Sequence, residues 1–61
     1  MTDKYIEVRK YTQFSWWVSY AEYHLGKLWR HDTTMDKSCK DAMQDAAARR
    51  QLTGYSIVVI S

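Results

Sequence analysis

Four stretches of the chain carry a readable apolar pattern. In residues 4–11, Ile6 and Val8 alternate with Glu7 and Arg9, and Tyr5 and Tyr11 flank the second set. That period of two predicts a short, half-buried strand. Residues 12–30 fit two templates. As a strand, Phe14, Trp16, Val18 and Tyr20 share one side, and Ser15, Trp17, Ser19 and Ala21 the other. As a helix, Phe14, Trp17, Val18, Ala21, Leu25 and Leu28 fall within one arc, while Ser15, Ser19, Glu22, Gly26 and Arg30 gather on a polar arc. The helical sorting is the cleaner of the two. Thr12 supplies a cap and Gly26 a stop, and the strand alternative has no Gly, Pro or Asn for an early hairpin turn. A helix is therefore the preferred expectation here.

A polar break at residues 31–35, His-Asp-Thr-Thr-Met, leads into a second helix expected from about Met35 to Gln51. Thr33 or Thr34 would cap it, with Asp36 in the first turn. Its apolar stripe is Met35, Cys39, Ala42, Met43 and Ala46, so it approaches a neighbour closely but buries little area. Asp41 and Asp45 are expected on a solvent face. Arg49 has the spacing to pair with Asp45, and Arg49 and Arg50 suit the negative end of the helix dipole. Gly54 is a second stop. Residues 55–60, Tyr-Ser-Ile-Val-Val-Ile, form the best strand, apolar on both sides and expected in an interior or doubly covered position.

The expected architecture is a small α+β single domain over residues 1–61, in the order strand-helix-helix-strand with a short sheet. The runner-up is strand-strand-helix-strand, one helix packed on an antiparallel sheet. Either leaves sheet surface that its own helices cannot hide, to be met by a homodimer or by another protein.

Size sharpens that expectation. A chain of 61 residues buries only about 60% of its extended surface. One cysteine permits no internal disulfide, so association is the remaining supplement to stability. No apolar run approaches the roughly 20 residues of a membrane span, and the start Met1-Thr2-Asp3-Lys4 is not that of a signal peptide. A cytoplasmic protein without a membrane partner is expected, and a lone Cys39 suits a reducing compartment.

Charge forms no blocks. Nine Lys and Arg against seven Asp and Glu give +2, too little for a strongly basic nucleic-acid footprint.

Catalytic and metal chemistry find little support. His24, His31 and Cys39 lack the close pairing of structural zinc ligands. Cys39 lies near a helix start but on the apolar stripe, which predicts a buried structural thiol. There is no Gly-rich phosphate loop and no nucleophile elbow. No enzyme activity, metal or cofactor is expected.

The aromatic residues carry the most information. Trp16, Tyr20 and Tyr23 stand on one line of the expected helix, with Lys27 and Arg30 at its rim. These five residues are the expected binding surface of a non-catalytic regulator or inhibitor of a larger protein. The bland alternative packs the same aromatics into a core short of material. A third alternative is a small nucleic-acid-binding protein using Arg9, Lys10, Tyr11, Trp16, Lys27 and Arg30, with rings stacking bases and cations holding phosphates.

Overall fold

A computed structural model describes residues 3–60. Three strands come first: β1 (Lys4–Thr12), β2 (Ser15–His24) and β3 (Lys27–Asp36). A helix, α1 (Cys39–Thr53), and a last strand, β4 (Ser56–Ile60), follow. The sheet order is β3-β2-β1-β4. β1 pairs antiparallel with β2 and parallel with β4, and β2 pairs antiparallel with β3. The molecule is a small α+β fold with a mixed sheet and one helix.

The α+β class, the first strand and the last strand follow the sequence pattern. The order does not. Residues 12–30 are not a helix but β2 and the first part of β3, so strand-helix-helix-strand is corrected to strand-strand-strand-helix-strand. The runner-up lacked one strand. Trp, Tyr and Val favour a pleated surface with cross-strand neighbours, and β1 supplies those neighbours along β2 from Ser15 to Glu22.

Both hairpin turns escape the usual sequence signals. Thr12 pairs with Ser15 around Gln13 and Phe14. Neither loop residue has a positive φ. Instead Thr12 Oγ1 accepts a 3.3 Å bond from the Phe14 N–H, and a register shift between Lys10 and Thr12 leaves Tyr11 as an extra residue that bends β1 into the loop. In the second hairpin, His24 pairs with Lys27. Leu25 and Gly26 have φ of 54° and 77°, the left-handed pair of a primed turn usually written Asn-Gly. Gly26 thus closes a hairpin rather than a helix.

The helix starts later than expected. Thr33, Thr34 and Met35 belong to β3, and Ser38 is the cap, its Oγ accepting 3.1 Å from the Asp41 N–H. β-branched Thr33 and Thr34 suit a strand better than a helix start. Gly54 ends α1 with φ 75°, its N–H donating 2.7 Å to the Arg50 carbonyl.

The core lies between α1 and one face of the sheet. Ile6, Val8 and Val18 meet Ala42 and Ala46, with Trp16, Tyr20, Tyr55 and Ile57 packed around them. Small residues at positions 42 and 46 let the helix axis approach the sheet closely. Three expectations for the helix are corrected. Cys39 is exposed, not a buried thiol, because the face turned to the sheet runs through Ala42, Ala46 and Arg49. Met35 lies in β3 and is exposed, and Met43 is only partly covered. Asp45 does not face open solvent but joins a side-chain network with β3. β4 is an edge strand rather than an interior one: β1 is its single partner, and Val58, Val59 and Ile60 remain 40–49% exposed.

Candidate protein-binding face

Alternation along the paired strands assigns every side chain to one of two faces. The register aligns Tyr5 with Ala21, Glu7 with Ser19 and Arg9 with Trp17. It also aligns Ala21 with Arg30 and Tyr23 with Leu28, and Glu7 with Val58 and Arg9 with Ile60. These residues stand on the face opposite α1, and no element of the described chain covers it.

The centre of this open face is an ion pair. Glu7 is 1% exposed. Arg30 reaches across β2 and donates to both its carboxylate oxygens, at 2.8 and 3.2 Å. The hydrogen bond to Glu7 raises the Arg30 pKa further. Glu7 is buried although no secondary-structure element lies above it. Tyr5, Tyr23 and Arg30 stand near enough to influence one another electrostatically. Burial, then the Glu7 charge, pushes the Tyr5 hydroxyl above its ordinary pKa. A buried carboxylate needs such a partner, since an unpaired one is costly away from water. The pair therefore fixes Arg30 in place and neutralises its charge.

Around that centre the face is aromatic and apolar. Tyr23 is 55% exposed, and Tyr11, Met35, Val58 and Ile60 are also exposed. Tyr11 lies against Trp17 with ring centroids 4.7 Å apart, and these two line a cleft with Arg9 and Lys10. The Trp17 Nε1–H is buried without an acceptor.

The expected binding line does not form. In a strand, Trp16 and Tyr20 point to the helix side, while Tyr23 points to the open side. Trp16 and Tyr20 are half-buried against the core. Tyr20 also packs edge-on to Tyr55 at 6.1 Å and lies 4.8 Å beneath the Arg49 guanidinium. Tyr23 and Arg30 share the open face. Lys27 sits at the base of the second hairpin. Of the residues expected to hold nucleic acid, Arg9, Tyr11 and Arg30 lie on the open side. Lys10 and Trp16, paired with each other, take the helix side. Sequence reasoning placed Trp17 in a core and passed over Val58 and Ile60 as site residues. A strand-period reading of residues 15–24 would have grouped Trp17 with Tyr23.

On the helix side, a polar network ties α1 to β3. Arg49, 8% exposed, donates to Asp45 at 3.2 Å and to Thr34 Oγ1 at 3.1 Å, and Thr34 donates to Asp45. Burial pushes Asp45 up, but the hydrogen bonds from Thr34 and Arg49 outweigh it and hold its pKa below the usual value. Asp36 is raised, by burial first and by the neighbouring Asp45 charge second. This network is structural in form: it fills the gap between helix and strand.

His24 and His31 line an open cleft of about 340 Å³ with Glu22, Trp29 and Arg30. His31 Nδ1 lies 3.0 Å from Asp32, and its ring stacks on Tyr20 at 5.5 Å. Among the described residues no group of three or more His, Cys, Asp or Glu could hold a metal ion, and no helix is long and apolar enough to cross a membrane. No protein-family model, curated protein or solved structure matches this chain.

Proposed function

We propose that the chain is a non-catalytic interaction protein that binds and regulates or inhibits a larger protein through the open face of its sheet. The observation that carries this reading is that face itself. Tyr11, Tyr23, Met35, Val58 and Ile60 stand exposed together on a surface that the single helix does not reach. Rigid aromatic side chains held on strands give large contact area at low entropic cost.

The charge balance of the face favours protein over nucleic acid. The Arg30 charge is engaged by Glu7, which leaves Arg9 on this face and Lys10 beside it in the cleft of Tyr11 and Trp17. Two such cations neutralise few phosphates, so affinity for a strand of nucleic acid would be weak and its salt slope shallow.

The test compares capture from cell extract by the natural chain and by the variant Tyr11→Ala/Tyr23→Ala. A nuclease-resistant protein partner is expected with the natural chain and should be lost with the variant, while the variant keeps its far-ultraviolet circular dichroism. Capture unchanged by the double substitution would remove the open face as the site. Recovery of nucleic acid alone, released steeply by salt, would favour the alternative reading.

A further inference from the structure

The two edges of the sheet are built differently. β3 forms one edge and β4 the other. The β3 edge carries Lys27, Arg30, His31 and Asp32. Asp32 has a φ of 53°, and the register with β2 shifts between Val18 and Tyr20. Charges and a backbone irregularity are the devices by which edge strands resist further pairing. β4 has none of them. Ser56–Ile60 contains no charge and no proline, keeps regular register with β1 throughout, and leaves Val58, Val59 and Ile60 exposed.

We infer that the outer edge of β4 pairs with the same edge of a second copy of this chain, antiparallel and centred on Val58. That register sets Val58 opposite Val58 of the other copy, Ile57 opposite Val59, and Ser56 opposite Ile60. Each pair joins residues of like face, so both sheets continue without a break. The uncharged strand is its own complement: no like charges meet across the two-fold axis, and the net charge of +2 per copy adds little repulsion. Pairing β4 with the β3 edge instead would set it against charges and the irregular stretch, and would build an open array. The closed dimer joins the two open faces into one surface with Val58 and Ile60 of both copies at its middle. This inference stands on the edge of the sheet and not on what the open face binds, so a loss of partner capture leaves it untouched.

Sedimentation equilibrium over a concentration series tests it first. The expected result is a mass twice the 7.3 kDa of the chain, with Val58→Lys weakening association by about tenfold or more, since like charges would meet at the centre. The second test uses Cys39→Ser/Val58→Cys with oxidised glutathione. Residues opposite each other in an antiparallel pair lie about 4.5–5.5 Å apart at Cα, within disulfide reach. The thiols introduced at position 58 of the two copies should therefore cross-link. Cys39→Ser/Ile60→Cys should cross-link far less, because residue 60 faces residue 56. The third measurement needs no variant: hydrogen exchange of the natural chain should show protection of the outward-pointing, alternate amides of Ile57–Ile60 rising with concentration while the β3 edge stays constant. A monomer up to about 1 mM, well above the range of specific dimers, would overturn the inference. So would a dimer whose β4 amides gain no protection.

Discussion

The two faces of the sheet solve the same burial problem by opposite means. On the helix side, Ile6, Val8 and Val18 are sealed by Ala42 and Ala46, and the chemistry is close apolar packing. On the open side, Glu7, Ser19 and Ala21 are also buried, yet no secondary-structure element lies above them. There, the Glu7–Arg30 pair crosses the face, and Tyr11 and Tyr23 are left exposed. A helix can cover only part of a four-stranded sheet, so a chain this short commits its one helix to one face. The second face is left without a covering element.

The comparison breaks hardest at the ion pair. Arg30→Ala leaves the Glu7 carboxylate buried and unpaired and should cost about 3 kcal/mol in chemical denaturation. Glu7→Gln, which frees a guanidinium that can turn to solvent, should cost about 1 kcal/mol. If the two losses were equal, the open face would not depend on burial of the carboxylate. Next is a contrast between faces. Ala46→Leu overfills the seam between helix and sheet and should cost about 2 kcal/mol, whereas Tyr23→Ala on the open face should stay within about 0.5 kcal/mol. A large loss from Tyr23→Ala would assign that ring to the fold rather than to a partner.

A smaller effect of opposite sign is expected at the second hairpin. Leu25 holds a left-handed φ that a residue with an apolar Cβ substituent adopts with strain, and its side chain is exposed. Leu25→Asn should raise stability by about 1 kcal/mol by thermal melting, with partner capture unchanged. The smallest effect concerns pH. Asp36 has a raised pKa in the folded chain, so folding favours its protonated form. Stability falls as pH climbs from the usual carboxylate value through that raised one, and the loss persists at neutrality. Asp45 works in the other direction, contributing above the usual carboxylate value and losing that contribution as pH drops through its lowered one. Asp36→Asn mimics the favoured form. It should raise stability at neutral pH by about 1 kcal/mol or less and leave the acid-side loss from Asp45 in place. No rise at neutral pH would show that neither burial nor the Asp45 charge disfavours the ionised Asp36.

Much of the fold was legible at its ends. The alternation at Ile6 and Val8, the apolar run Ile57–Ile60 and the Gly54 stop each point to one structure only, and each is observed. The Asp45–Arg49 pairing was also readable from spacing. The middle was not, for two local reasons. Trp16, Trp17, Val18 and Tyr20 satisfy both a two-residue and a 3.6-residue period over a short window. The turns that would have broken the tie carry Gln13-Phe14 and Leu25-Gly26 instead of Asn-Gly, so they read as continuing chain or as a helix end. The candidate site inherited that error: Tyr23 and Arg30 reach the open face, while Trp16 and Tyr20 pack on the helix side.

The sequence alone determined that this is a small α+β protein rich in aromatic residues, because composition and strong local periodicity do not depend on partners distant in the chain. Tertiary structure decided which aromatics turn outward, that Arg30 meets Glu7 across an intervening strand, and that β4 lies at an unguarded edge. Those outcomes follow from strand register. It is set by pairing between segments far apart in sequence, and a shift of one residue would send every side chain to the other face.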